Sequence, residues 1–199
     1  ELCKMSFHWV RLHYLYPDEF TEELIDTIAA EDKIVKYLDI PIQHCNDRVL
    51  KAMNRRGDKA ELMALFTTLR ERIPGLVLRT SLIAGLPGEG EEEFEELSQF
   101  LWDQRMLRAG VFPYSPEEGT PAAKMERVDS EEAARRAELV VDVQSRVMDD
   151  FNDSRMGDLV EVLLKYGVVN AACCDGGSSS VLSSALNAPM DSMCTSSMM

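Results

Sequence analysis

The sequence predicts an α/β fold built on parallel strands, and two observations carry that expectation. Four short apolar segments, at residues 9–16, 37–42, 76–83 and 109–114, have the length and the β-branched and aromatic content of strands. The stretches between them follow a helical period, and strands alternating with helices favour a parallel sheet joined by right-handed crossovers.

Each element follows from its own local pattern. WVRLHYLY at 9–16 opens the set, and YLDIPI at 37–42 is a second strand that ends in a polar Gln43-His44 tip. Asn46 or Asp47 then supplies the N-cap of a basic helix that closes at Arg55-Arg56-Gly57. Leu62, Leu65, Phe66, Leu69 and Ile73 recur at helical spacing and predict the next helix. LVLRTSLI at 76–83 is the third strand. GLPGEGEEEF turns it into a helix with an acidic first turn, which suits the helix dipole, and Phe94, Leu97 and Leu101 give that helix its apolar stripe. AGVFPY at 109–114 is the fourth strand. Ser130 with Glu131-Glu132 opens a long helix that ends near Gly157 and presents Ala133, Ala137, Val140, Val141, Val147, Met148 and Phe151 on one face. DLVEVLL at 158–164 alternates enough to predict one further strand. From residue 168 onward, small residues and serine clusters without a period predict an irregular tail.

With 199 residues, 45% hydrophobic and 28% charged, the chain has the composition of a globular protein with one core. No run approaches the ~18–20 apolar residues of a membrane-spanning helix, and the first residues lack the ordered regions of a signal peptide, so no membrane partner and a cytoplasmic location are expected. A formal charge of -14 argues against broad electrostatic adhesion to nucleic acid and accommodates a basic protein partner more easily. The five cysteines are odd in number and irregularly spaced, which predicts reduced thiols. Cys173-Cys174 lacks a matching second pair, and His8 and His13 lack a third ligand at useful spacing, so neither pair predicts a metal site.

Ligands of parallel α/β folds bind at the carboxyl ends of the strands, and three motifs occupy such ends. Gln43-His44 follows the second strand; the amide offers donors and an acceptor, and the imidazole either bonds a ligand hydroxyl or belongs to a capped turn. Cys45 beside them is a nucleophile or an idle buried thiol. Gly85-Leu86-Pro87-Gly88-Glu89 follows the third strand, and its glutamates oppose a phosphate, so the glycines are expected to serve a tight turn. Pro113-Tyr114-Ser115 follows the fourth. Arg79 and Ser81 share a strand face, where an inward cation requires either an anionic ligand or an internal carboxylate such as Asp39. Arg55 and Arg56 either reach the same cavity or end a solvated helix. His44 and Glu89 are also the obvious acid/base candidates for a cofactor-free barrel enzyme.

YLYP, DIPIQH, MNRRG, GLPGE and FPYSPEEGTPA occur in this order between residues 14 and 122. Together they resemble the later half of the radical S-adenosylmethionine methylthiotransferases, the MiaB/RimO family, over about residues 1–164. The resemblance implies a partial TIM-like barrel at 1–127, a connecting helix at 128–157, the first strand of a truncated TRAM β-domain at 158–165, and an unrelated or disordered tail at 166–199. DIPIQH with YLYP looks more like the RimO branch, which adds a methylthio group to the β-carbon of an aspartate in a small-subunit ribosomal protein. A fragment of the tRNA-modifying MiaB branch and a non-catalytic docking fragment are the alternatives. The implied cofactors are S-adenosylmethionine and two [4Fe-4S] clusters, yet the family's C-x-x-x-C-x-x-C is not in this sequence, so an inactive C-terminal fragment is expected. By the same resemblance Gln43 and His44 face the ribose or methionine, Arg79 and Ser81 point inward, Ile83 and Gly85 lie against adenine, and Phe112 and Tyr114 line the last strand. In the tail, Asn170, Asp175, Gly176, Gly177 and Ser178 faintly resemble the active-site stretch of phosphodiester glycosidases.

Overall fold

The computed structural model describes residues 1–165. Strands β1 (Val10–Leu12), β2 (Ile34–Asp39), β3 (Val77–Ala84) and β4 (Arg108–Pro113) form one parallel sheet in chain order. They are joined by α1 (Glu22–Ala30), by α2 (Asp47–Ala52) with α3 (Lys59–Arg72), and by α4 (Glu91–Asp103). A sheet whose spatial order equals its chain order, wound with right-handed crossovers, carries its helices on one face, as in a segment of a barrel wall. The core fills that layer. Leu38 of β2 and Leu78 and Leu82 of β3 meet Ile28 of α1, Phe66 and Leu69 of α3, and Leu97 and Leu101 of α4, all buried in one cluster.

The strand limits differ from expectation for identifiable reasons. β1 is only three residues long, because its register shifts between Val10 and Leu12 and Tyr14 then takes a left-handed φ of 57°. β2 starts three residues early and leaves the ladder after Asp39, since Pro41 has no N–H to donate. Thr80 closes the gap. Its hydroxyl donates to the Ile40 carbonyl at 2.9 Å and accepts from the Ile42 amide at 3.3 Å. The chain then rejoins the sheet at Gln43, as an isolated bridge to Leu82.

Helix ends are satisfied largely as the sequence suggests. Asn46 caps α2 through the Arg48 and Val49 amides, and Asp58 caps α3 through that of Glu61. Helix α1 has no basic residue in its last turn, so Lys36 from β2 reaches back to its carbonyls, including Ala29 at 3.2 Å and Glu31 at 3.0 Å. The cap of α5 (Ser130–Ser154) is Asp129, whose carboxylate accepts from the amides of Glu131 and Glu132. Ala133, Ala137, Val140 and Val147 are buried on this helix as expected, whereas Val141 is exposed.

The described residues divide into two units, 1–147 and 148–165. The strand expected at 158–164 as the start of a TRAM-like domain is not formed: these residues belong to helix α6 (Met156–Lys165). Leu159-Val160 and Leu163-Leu164 also recur at i, i+4, and a short apolar run does not by itself separate a strand from a helix. Among the described residues no helix is long and apolar enough to cross a membrane. The irregular tail, its Cys173-Cys174 pair and the Asn170 to Ser178 stretch lie outside the described residues.

Candidate functional site

A cavity of about 650 Å³ opens at the carboxyl ends of the strands, a size common for small-molecule sites. Strand period places its floor. Leu78, Thr80, Leu82 and Ala84 of β3 are buried among the helices, so Arg79, Ser81 and Ile83 face the opposite side and line the cavity. Gln43, Phe112 and Tyr114 complete the six expected site residues that the structure brings together there.

Gln43 reaches the cavity from a strained backbone. Its φ is 69°, and both of its peptide groups are locked into β3: its amide donates to the Ser81 carbonyl and its carbonyl accepts from the Ile83 amide, each at 2.9 Å. Arg79 is fixed by an internal partner. Its Nη1 donates to Asp39 Oδ1 at 2.6 Å and to Ser81 Oγ at 3.2 Å, so the carboxylate alternative raised by the sequence is realised while the guanidinium still lines the cavity. Asp39 lies in register with Arg79 on the adjacent strand and also meets His13 Nδ1 at 3.5 Å. Gly110 leaves room for this arrangement, because a Cβ there would stand 3.2 Å from Arg79 Nη2. Tyr114 brings its ring to the cavity wall with its Oη buried and unpartnered.

His44 and Gly85, the other two expected site residues, are not among the cavity's lining. The His44 side chain is fully buried; Nδ1 accepts from the Asn46 amide at 3.0 Å, which places the ring proton on Nε2, 3.4 Å from Glu89 Oε2. That contact is electrostatic, since Nε2 makes no well-aligned hydrogen bond. Glu89, also buried, accepts from the Gly85 amide on both oxygens at 2.9 Å and from Arg136 Nη1 at 3.0 Å. Arg136, from α5, further donates to the Gly90 carbonyl, Glu91 and Glu132, and lies over the Phe94 ring at 5.1 Å. With Arg135 it draws the Glu132 carboxyl down to about 2. The pair proposed for acid/base work thus exists, but inside an ion-paired hub behind the cavity.

Burial opposes ionisation of Glu89, yet its contacts with His44, the Gly85 amide and Arg136 outweigh it and hold the carboxyl below its ordinary 4.5. A lowered folded-state value means that its stabilising contribution is in place above the unfolded value and fades as pH falls through the folded one. Glu89→Gln is expected to lower the unfolding free energy at pH 7 and to flatten its decline below about pH 4.5, which urea titrations at stepped pH would measure. A variant with an unaltered acid limb would contradict this role.

Cys45 is buried with its Sγ directed at the Glu96 carbonyl, 3.7 Å away. Burial and the nearby Glu96 push its thiol up to about 12. Iodoacetamide at pH 8 is therefore expected to spare the Cys45 peptide until denaturant is added, and native-state labelling in a mass-spectrometric map would refute the assignment.

Sequence reasoning missed Tyr14, Tyr16, Pro41, Met53 and Ala122 of the lining, and Arg136 altogether. The signal for Arg136 was present, because a charge three residues after Ala133 and four before Val140 stands on the helix's apolar face.

The profile of the Radical SAM superfamily matches residues 1–101. This chain belongs to that superfamily. The radical SAM chain is 47% identical over 167 residues to the ribosomal protein uS12 methylthiotransferase RimO of Anaeromyxobacter sp. (strain Fw109-5), a match covering 83% of this chain and 36% of that protein. It is also 47% identical over 160 residues to the RimO of Elusimicrobium minutum (strain Pei191), with 80% and 37% covered. The chain spans just over a third of the length of these relatives. Among solved structures, coproporphyrinogen III oxidase (HemN) from Escherichia coli superposes with a TM-score of 0.58 at 21% identity, over 70% of this chain and 32% of its own. Elp3 of Methanocaldococcus infernus gives 0.54 at 17% identity, over 66% and 32%. These two share the fold, which accords with the α/β partial-barrel reading.

Proposed function

We propose that this chain is the S-adenosylmethionine-holding part of a RimO-type methylthiotransferase that modifies an aspartate of a small-subunit ribosomal protein in the cytoplasm. The observation that carries the reading is the strand-end cavity, in a chain 47% identical to RimO proteins along most of its length. Its lining suits a nucleoside with an amino-acid arm. Ile83, Leu86 and Phe112 offer apolar surface to a base, the Gln43 amide offers donors and an acceptor to ribose hydroxyls, and the orphaned Tyr114 Oη awaits a polar partner. Ser81 and Arg79 face the polar arm, and Asp39 keeps the Arg79 guanidinium aimed there. His44 and Gly85 act from behind, by holding the turn that carries Leu86 against the cavity.

The chemistry such a cosubstrate would supply when bound is methyl donation, and hydrogen abstraction at carbon once a one-electron donor held outside these residues cleaves it. Among the described residues no group of three His, Cys, Asp or Glu side chains is placed to hold a metal ion, so these residues do not fit an iron-sulfur cluster. What they do is bind, orient and exclude water.

Calorimetry with 5′-methylthioadenosine tests the reading in the intact chain. Binding is expected, with Phe112→Ala weakening it about tenfold through lost aromatic contact. Equal affinities of the two proteins, or no binding, would refute it.

A further inference from the structure

A groove of about 940 Å³ lies between α4 and the part of α5 that belongs to the first unit, and it shares no residue with the strand-end cavity. Each helix buries one stripe in the core, Phe94, Leu97 and Leu101 from α4 and Ala137, Val140 and Val147 from α5. The flanking stripes form the groove walls. Glu92, Glu95, Gln99 and Trp102 recur at helical spacing on α4, and Leu139, Asp142, Val143 and Arg146 do so on α5.

The groove is apolar inside and acidic at its rim. Trp102 is 39% exposed and Leu139 38%, with Val143 half-buried one turn beyond Leu139. Glu96 is held by Lys59 at 2.7 Å, whereas Glu92, Glu95 and Asp142 have no ion-pair partner among the described residues, and Arg146 is the one cation in the described lining. Arg136 meets Glu91 at the start of α4, and Gln144 donates to the Leu107 carbonyl beyond its end at 2.8 Å, so the two helices run the same way. The free glutamates therefore lie at the Leu139 end of the groove, and Trp102 and Arg146 at the other.

This charge selects the occupant. Residues 166–199 contain two aspartates and no lysine or arginine, and a second copy of the chain brings a formal -14, so neither complements the rim. Nucleic acid and anionic lipid are repelled by it for the same reason. Ten positions separate Glu92 from Trp102, about 15 Å of helix and close to three turns of an incoming one. Going beyond the reading of the strand-end cavity, and independently of it, we propose that the α4–α5 groove docks a lysine- or arginine-rich amphipathic helix of a protein partner. Its apolar stripe would cover Trp102, Leu139 and Val143, and its cations would meet Glu92, Glu95 and Asp142.

Trp102 is a built-in reporter, because the other tryptophan of the chain, Trp9, is 79% exposed outside the groove and can be changed to phenylalanine. The probe is an acetylated, amidated peptide of about 15 residues with leucines at helical spacing and lysines elsewhere. Titrated into the whole W9F chain, it is expected to shift Trp102 emission to the blue and to saturate, with a scrambled peptide of the same composition binding about tenfold more weakly. E95Q/D142N removes one exposed charge from each wall and should weaken binding about tenfold, whereas E117Q/E118Q, an equally exposed pair outside the groove, should leave it unchanged. Leu139→Ala, which alters no charge, should weaken it about threefold and serves in place of E95Q/D142N if that variant loses helical signal in far-UV spectra. No saturable shift, equal affinity for the scrambled peptide, equal losses in the two double variants, or unchanged affinity in Leu139→Ala overturns the proposal.

Discussion

Replacing Arg136 with leucine is expected to destabilise the first unit by about 3–5 kcal/mol in urea unfolding. The side chain is almost fully buried and donates to Glu89, Glu91, Glu132 and the Gly90 carbonyl. Removing it leaves the Glu89 carboxylate inside the protein with only the Gly85 amide and the His44 ring beside it. The cost is therefore mainly that of an unpaired buried charge, and a second change should reveal this. Arg136→Leu combined with Glu89→Gln removes both charges, and the double variant should lose clearly less than the sum of the single losses. Additive losses would show that Arg136 acts through packing on Phe94 instead.

Gly85→Ala should be comparably damaging, at about 2–5 kcal/mol, for two separable reasons. The backbone φ of 80° is left-handed, and an added Cβ would stand 2.5 Å from the Cβ of Ala133 on α5. The steric part can be relieved independently of the backbone part. Pairing Gly85→Ala with Ala133→Gly should recover the overlap but not the strain, apart from the small intrinsic cost of glycine in the helix. Thermal or urea unfolding of the three variants separates the contributions. A Gly85→Ala protein as stable as the parent would refute the close approach of α5 to this turn.

Period-two alternation was enough to place Arg79 and Ser81 on one face of β3, and this face, which Ile83 extends, is the floor of the cavity. Helical spacing likewise identified the buried faces of α3 and α4, including Leu62, Phe66, Leu69, Phe94, Leu97 and Leu101. Where reading failed, a tertiary contact or a local backbone choice decided the outcome. Tyr14 and Pro41 shorten their strands through φ and a missing donor, and both then turn toward the cavity. The depth of His44 follows from Glu89 and Arg136, which lie 45 and 92 positions further along the chain and share no local pattern with it. At 158–164 the apolar run fitted two periods, and the helical one prevailed.

Gln43 carries a consequence for how this protein would respond to selection in the laboratory. Any residue with a Cβ is strained at its φ of 69°, and glycine is not. A screen that rewards only heat resistance would thus favour glycine at position 43 and, in doing so, strip the cavity of its amide. Thermal robustness and ligand recognition pull against each other at a single codon, so improvement of one has to be sought elsewhere in the chain if the other is to be kept.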